Sequence, residues 1–185
     1  MKCERLAIPD VMLVTPPRFG DARGFFSETW KQGAFAELGI PGPFVQDNHA
    51  FSADKGVLRG LHLQIDPNPQ GKLVRVTRGA IFDVAVDVRH GSPTFGQHVA
   101  VTLSAENWSQ LWVPAGFLHG YCTLERDTEV IYKVTAPYDR GAERGVLWSD
   151  PALGIAWPIS GSEAILSDKD RVLPPLHACP VWFRA

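Results

Sequence analysis

One segment of the sequence places an imidazole and a guanidinium among aliphatic side chains. This segment is Gly56-Val57-Leu58-Arg59-Gly60-Leu61-His62-Leu63-Gln64. An unperturbed imidazole titrates close to neutral pH, so His62 is suited to general acid–base catalysis, although a histidine in such a strand is more often a hydrogen-bonded core residue. Regular alternation would place Arg59 and His62 on opposite faces, whereas a bulge at Gly60 would bring them to the same face.

A second segment, Pro114-Ala115-Gly116-Phe117-Leu118-His119, has the PxGxxH spacing of the second cupin motif. The first cupin motif requires HxH followed by a glutamate. This chain instead has His62-Leu63-Gln64, and the residues that follow, 66–69, include no glutamate. Two histidines without further ligands are a poor site for a divalent metal. The pattern therefore predicts a cupin-like pocket without a metal, in which His62 is free to act as an acid or a base.

Two predicted strands each carry one polar side chain on an otherwise apolar face. Lys72 shares its face with Val74 and Val76, and Tyr132 lies between Val130 and Val134 on the same face of its strand. Burying an unpaired ammonium is costly. Lys72 therefore either has a function in the interior or lies at the strand end and reaches water.

Charged residues near both ends of the sequence each allow two interpretations. In 21–28, Arg23 and Glu28 flank aromatic residues, either as exposed charges of a hairpin or as ligands for a phosphate and a base or sugar hydroxyl. In 167–170, the sequence Ser-Asp-Lys-Asp is either a solvated loop or a segment whose aspartate returns to orient His62.

The elements that must position these residues are predicted to be strands. The 17 glycines and 15 prolines are spread along the chain and separate many short apolar runs. One short helix is predicted over Lys31 to Leu38, closed by Gly39. The whole of 1–185 is predicted to be a single all-β domain, a jelly-roll, cupin-like barrel with short peripheral helices, around which the Pro-rich part from Asp150 onward wraps. The predicted strands are Leu58 to Ile65, Lys72 to Thr77, Ile81 to Val88, Val99 to Leu103, Leu111 to Val113 and Glu129 to Val134.

Composition argues against several classes of function. The formal net charge is -2 and no basic stripe is present, so nucleic-acid binding has little support. No apolar run approaches the roughly 18 residues of a membrane span, and the first ten residues lack the apolar core of a signal peptide. Three widely spaced cysteines without a CxxC pair fit reduced thiols in the cytoplasm. No Gly-rich dinucleotide fingerprint is present.

Taken together, eight segments of the chain resemble the dTDP-4-dehydrorhamnose 3,5-epimerases of rhamnose biosynthesis. The resemblance extends over residues 4 to 177, with one departure, His49-Ala50, where a serine near position 50 is expected. The segments are DARGFFSE (21–28), QDNHAFS (46–52), GVLRGLHLQ (56–64), GKLVRV (71–76), SPTFG (92–96), PAGFLHG (114–120), YK (132–133) and SDKD (167–170).

The resemblance implies a homodimer that binds a dTDP-linked sugar inside the barrel and uses no metal or other cofactor. It implies that His62, held by Asp170, is the base, that Tyr132 is the acid on the opposite face of the sugar, and that Lys72 lies near the C4 oxygen. Arg23 is expected to reach the site of the partner subunit. The residues implied to hold the nucleotide sugar are Arg23, Glu28, Gln46, Asp47, Asn48, Arg59, His119, Glu143 and Lys169.

The implied reaction is the 3,5-epimerisation of dTDP-4-dehydro-6-deoxy-D-glucose to dTDP-4-dehydro-L-rhamnose. Three alternatives use parts of the same residue set. An epimerase that inverts only C3 or only C5 could use the same three side chains, His62, Lys72 and Tyr132. A metal-dependent cupin enzyme lacks the ligands it needs here, and a module that only binds sugar nucleotides leaves His62, Asp170 and Tyr132 without a shared purpose.

Overall fold

The computed structural model describes residues 1–185, and most of its regular structure is β-strand. There are two short helices, α1 (Gln32–Glu37) and α2 (Asp168–Arg171), and neither has the length and apolar character needed to cross a membrane. The strands are β1 (Lys2–Arg5), β2 (Met12–Thr15), β3 (Phe19–Asp21), β4 (Gly24–Phe26), β5 (Gln46–Ser52), β6 (Leu58–Gln64), β7 (Lys72–Arg78), β8 (Ala80–Asp87), β9 (Arg89–His90), β10 (His98–Ser104), β11 (Gln110–Val113), β12 (Phe117–Thr123), β13 (Thr128–Val134), β14 (Glu143–Gly145) and β15 (Phe183–Arg184).

Two antiparallel sheets form the barrel. One has six strands in the order β1-β2-β11-β7-β13-β5, and the other has five in the order β10-β8-β12-β6-β14. Their inner faces share one apolar core, in which Val74 and Leu111 of the first sheet pack with Ile81 and Ala85 of the second. Such a double-sheet arrangement is how a jelly roll limits its open edges. The predicted all-β jelly-roll fold with short peripheral helices is confirmed.

The strands predicted from alternation are present, with ends that shift by one or two residues. The predicted helix is also present, and Gly39 closes it with a φ of +85°. Beyond the predicted strands, the structure adds two long ones, β5 and β12. Every residue of β12 is buried, so this strand has no polar face that alternation could reveal.

The part of the chain that follows Asp150 packs on the outer face of the five-stranded sheet, as predicted. Leu153 is buried there against Leu61 and Val84 of β6 and β8. The indole of Trp157 donates a hydrogen bond to the carbonyl of Trp148 at 2.8 Å. This layer covers the outer apolar side of the strands that carry His62 and His119 on their inner side.

A buried carboxylate anchors the end of β8 far from these histidines. Asp87 is fully buried and accepts hydrogen bonds from Arg89, Ser92 and Thr94, with the two hydroxyls 2.6 and 2.7 Å from Oδ2. Burial alone raises the pKa of Asp87, but these hydrogen bonds outweigh it and lower the pKa to about 2. Asp87 therefore holds the turn after β8 as an ionised structural group.

Candidate active site

A cavity of about 780 Å³ lies between the two sheets. Its lining comes from both sheets and from the segment that contains α2. Ten of the thirteen site residues predicted from the sequence line it: His62, Lys72, Tyr132, Asp170, Gln46, Asn48, Arg59, His119, Glu143 and Lys169. The predicted residues therefore come together although they are spread over more than a hundred positions of the sequence.

A bulge in β6 brings Arg59 and His62 to the same side. His119 of β12 pairs with His62, but Tyr121, two residues later, pairs with Arg59, which is three residues earlier. The extra residue lies at Gly60–Leu61, as predicted from the glycine. Gly60 has a φ of +127°, and a Cβ placed on it would lie 2.6 Å from the Cα of Gly120.

We expect Gly60→Ala to lose roughly 1–3 kcal/mol of stability through this collision, in addition to its backbone strain. Gly91→Ala is the control, because Gly91 has a φ of +92° and a Cβ placed on it would have no other atom within 4 Å. Urea unfolding of both variants measures the difference. Equal losses would show that the close approach of β6 to β12 does not constrain this position.

His62 forms a dyad with a buried carboxylate. Its Nε2 lies 2.6 Å from Oδ1 of Asp170, whose residue is 3% exposed. Asp170 is in α2, and its backbone N–H donates to the Ser167 hydroxyl that caps this helix. Of the two interpretations of segment 167–170, the structure has the one in which an aspartate returns to the barrel.

Electrostatics fix the protonation state of this dyad. Burial raises the pKa of Asp170, but the hydrogen bond from His62 and the charges of His62 and Lys169 outweigh it, so the pKa is lowered. An ionised carboxylate can only accept hydrogen bonds, so His62 donates through Nε2. Nδ1 is then the nitrogen that can take a proton from a substrate.

Tyr132 faces the cavity from the opposite sheet. It lies on β13, in the six-stranded sheet, whereas His62 lies on β6, in the five-stranded sheet. Burial raises the pKa of the Tyr132 phenol, and the charge of Arg59 only partly opposes this. The phenol is therefore protonated at neutral pH and can donate its proton.

Lys72 also projects into the cavity from the six-stranded sheet. Lys72 is 8% exposed, so it does not reach bulk water, although its position at a strand end would allow it. Its ammonium takes part in no hydrogen bond or salt bridge. Burial lowers the pKa of Lys72 to about 8, with the charges of Glu143 and Asp83 acting in the opposite direction. At neutral pH its ammonium group remains mostly charged and has all three donors free for a ligand.

Several other polar residues that line the cavity bond one another or the backbone. Lys169 donates to Glu143 at 2.8 Å, and Gln46 donates to Asn48 at 2.7 Å. The backbone N–H of Tyr138 donates to the side chain of Gln46 at 2.9 Å. These contacts tie the segment after β13 to β5 and leave amide, ammonium and carboxylate groups at the cavity wall.

Three predicted site residues lie outside the cavity of this subunit. Asp47 pairs with Lys133 on the outer side of β5, because successive residues of a strand face opposite ways and Gln46 and Asn48 face inward. Asp47 therefore lies outside this cavity, and its role in holding the nucleotide sugar stays a prediction. Arg23 is in the exposed β3–β4 hairpin, paired with Asp21, and Glu28 lies on the surface beside Lys31.

Two residues close to the site were not predicted from the sequence. Asp83 of β8 is fully buried and lies 2.6 Å from Nε2 of His119, and Tyr121 lines the cavity beside it. The available signal was an aspartate in the middle of a strand whose neighbours are Phe82 and Val84. A carboxylate in such a position is expected to have a buried partner.

No group of three or more His, Cys, Asp and Glu side chains is arranged to hold a metal ion. His62 and His119 each use Nε2 to bond a carboxylate of their own, Asp170 and Asp83. The absence of a metal or other cofactor from the reaction remains a prediction.

Comparison with known proteins gives a consistent result. A family model described as dTDP-4-dehydrorhamnose 3,5-epimerase matches residues 5–178. The chain is 56% identical over 172 residues to the dTDP-4-dehydrorhamnose 3,5-epimerase of Pseudomonas aeruginosa, covering 92% of this chain and 93% of that protein. It is 52% identical over 184 residues to the enzyme of the same name from Sinorhizobium fredii, covering 100% and 94%.

A solved structure has the same architecture. It is the crystal structure of dTDP-6-deoxy-D-glucose-3,5-epimerase RmlC from Legionella pneumophila in complex with dTDP-4-keto-L-rhamnose. It superposes with a TM-score of 0.95 at 43% identity, covering 100% of this chain and 98% of that chain. With the dyad, the facing phenol and the full-length match in place, this chain belongs to the dTDP-4-dehydrorhamnose 3,5-epimerase family.

Proposed function

We propose that this protein is an isomerase that converts dTDP-4-dehydro-6-deoxy-D-glucose to dTDP-4-dehydro-L-rhamnose by inverting C3 and C5. The observation that carries the proposal is the placement of a base and an acid on facing sheets, His62 with Asp170 on one and Tyr132 on the other. Inversion at carbon by proton exchange requires two such groups on opposite sides of the sugar ring. Its place is in the synthesis of dTDP-L-rhamnose.

The first step is removal of a proton next to the C4 ketone. Nδ1 of His62 takes the proton from C3 or C5, and Asp170 stabilises the imidazolium that forms. The electrons of the broken C–H bond move to the C4 oxygen, which becomes an enolate oxygen. The buried Lys72 ammonium, which lines the cavity, stabilises this charge as it develops.

The second step delivers a proton to the other face of the same carbon. Tyr132 donates from the opposite sheet, and the enolate returns to a ketone with inverted configuration. Because the proton removed and the proton added balance, no electron acceptor is needed. The reaction is therefore proposed to use no redox cofactor. Because no group of three His, Cys, Asp or Glu side chains is arranged to hold an ion, we propose that it also uses no metal.

The charged lining fits a sugar linked to a nucleoside diphosphate. Arg59 and Lys169 offer donors to phosphate oxygens, and charge-assisted hydrogen bonds of this kind are among the strongest in proteins. Gln46 and Asn48 offer amides for hydroxyl and carbonyl groups. Thymidine as the nucleoside is supported by the names of the relatives.

Proton NMR of the 4-keto substrate in deuterated water, with the purified protein and no added metal, tests the proposal. Deuterium should enter at both C3 and C5. Exchange at only one carbon would make the protein a single-position epimerase that uses the same residues, and no exchange at either carbon would contradict the proposed reaction.

Tyr132→Phe should separate proton removal from inversion. The phenyl ring retains the packing, but the donated proton is lost, so we expect product formation to fall about a hundredfold or more while deuterium exchange from the His62 side falls much less. The measurement is product formation and exchange in the same NMR sample. Product formation at the wild-type rate would remove Tyr132 from the acid role.

We also propose that the protein is a homodimer whose N-terminal hairpin reaches the partner. The β3–β4 hairpin pairs with neither main sheet and exposes Phe19, Phe25 and Phe26 by more than half of their surface. Exposed apolar side chains at this density indicate a protein–protein contact. Arg23 lies in the turn of this hairpin and would enter the cavity of the partner subunit.

Hybrid dimers test this arrangement. Arg23→Ala and His62→Ala subunits should each form poorly active dimers, but mixing them should restore activity, because one of the two sites in a hybrid then has both residues intact. Mixing that restores nothing, in samples shown by light scattering to be dimeric, would place Arg23 and His62 in the same subunit's site or outside any site.

Residues 1–185 are proposed to form one domain that works in the cytoplasm. Both sheets contribute to one apolar core, which supports a single folding unit. Cys3, Cys122 and Cys179 are all unpaired thiols, as is usual in a reducing compartment.

A further inference from the structure

A second histidine–carboxylate pair lies beside the first, on the neighbouring strands of the same sheet. His119 and His62 are opposite each other on neighbouring strands, and each donates through Nε2 to its own buried carboxylate at 2.6 Å. For His119 this carboxylate is Asp83, which has no exposed surface and does not line the cavity. Asp83 therefore acts on a ligand only through its neighbours.

One oxygen of Asp83 has no hydrogen-bond partner. Oδ1 accepts from His119, whereas Oδ2 is buried and unpaired. Tyr121, directly across the strand pair, also has a buried hydroxyl without a partner. A buried carboxylate with a single hydrogen bond is costly unless a cation nearby compensates its charge.

Lys72 is the buried cation that shares this interior. It lines the cavity with His119, and its ammonium has no hydrogen bond or ion pair. The charge of Glu143 and, after it, that of Asp83 favour the protonated form of Lys72. Glu143 has a partner of its own, because Lys169 donates to it at 2.8 Å, whereas Asp83 contacts no arginine or lysine. The other charged or titratable groups facing the same cavity are Arg59, His62, His119, Tyr121, Tyr132, Tyr138, Lys169 and Asp170.

Building on the proposed function, we propose that Asp83 is a positioning residue for the reaction: it orients His119 for the substrate and keeps the Lys72 ammonium charged in the closed barrel. With Nε2 held by Asp83, His119 presents Nδ1 to the ligand. The same negative charge offsets the desolvation of Lys72, so that the cation is present when the enolate forms.

The pH dependence of kcat tests this role. Wild-type activity should fall on the alkaline side as Lys72, with a pKa of about 8, loses its proton. Asp83→Asn preserves the size and a hydrogen-bond acceptor for His119 but removes the charge. Its alkaline limb should move to lower pH by roughly half a unit or more, and kcat at neutral pH should fall several-fold.

Two further variants separate charge from packing. Asp87→Asn removes another fully buried carboxylate from the same strand, so it should lower stability and leave the alkaline limb unchanged. Asp83→Glu retains the charge and should keep the alkaline limb near its wild-type position. If Asp83→Asn does not fold, the smaller neutral Asp83→Ser makes the same comparison.

The outcomes distinguish this inference from the proposed function. An inactive wild-type protein would overturn the proposed function itself. An active wild type with an alkaline limb that Asp83→Asn or Asp83→Ser leaves in place would overturn the role of Asp83 alone. A limb that moves equally in Asp87→Asn would reduce Asp83 to a stabilising core residue.

Discussion

Replacing His62 with alanine should abolish solvent exchange at C3 and C5 while the protein still binds nucleotide. His62 is the only imidazole in the cavity that is bonded to a carboxylate lining the same cavity, and Nδ1 has no protein partner. Loss of a general base costs roughly 10²–10⁴ in rate. We expect the upper part of that range, because the cavity is lined by one other imidazole only, His119, which is bonded to a different carboxylate.

The measurement is deuterium exchange by NMR, together with calorimetric titration of dTDP. His177→Ala is the control, because His177 is exposed in the C-terminal part of the chain and touches no part of the cavity. Bound dTDP with no exchange would assign the base to His62. Exchange that continues at the wild-type rate would remove His62 from that role and point to His119 instead.

Asp170→Asn should also slow solvent exchange at C3 and C5, but less than His62→Ala does. The amide retains the hydrogen-bond geometry but no longer stabilises the imidazolium. The difference between the two variants, measured by the same NMR exchange, therefore reports what the Asp170 charge contributes to proton removal.

The strands that carry the site could be predicted where one face is polar and the other apolar. The Lys72–Arg78 and Ala80–Asp87 strands show this alternation, and it placed Lys72 on the inner face. The Phe117–Thr123 strand is buried on both faces, and the Gln46–Ser52 strand is polar along most of its inner face because it lines a polar cavity. In neither strand does hydrophobic periodicity reveal the element. His119 was found from its PxGxxH motif instead, and Gln46 needed the family resemblance.

Contacts between distant segments were harder to predict than elements. Asp170 follows His62 by 108 positions, and its charged neighbours make the segment look like a solvated loop. Nothing local indicates that Ser167 caps a short helix that turns Asp170 inward. The strand that contains Asp83 was predicted, unlike the helix that contains Asp170. Its partner could not be predicted, because His119 lies on another strand of the same sheet.

Lys72→Met should lower kcat by about a hundredfold or more and leave dTDP binding nearly unchanged. Methionine fills a similar volume without charge, so the enolate oxygen would lose the one ammonium lining the cavity that has no partner. The alkaline limb of the pH profile should also disappear, because its pKa of about 8 belongs to Lys72. Below this pKa the wild-type lysine is charged and active, and above it activity falls.

Steady-state kinetics from neutral to alkaline pH measure both effects, with Lys55→Met, an exposed lysine outside the cavity, as the control. A large fall in kcat with an unchanged Kd for dTDP assigns Lys72 to the transition state, since a group that bound substrate and transition state equally would change KM instead. A Lys72→Met enzyme that retains wild-type kcat and the alkaline limb would contradict the role of Lys72. The enolate charge would then be left to another group that lines the cavity. His119, which is bonded to the buried Asp83, would be the candidate.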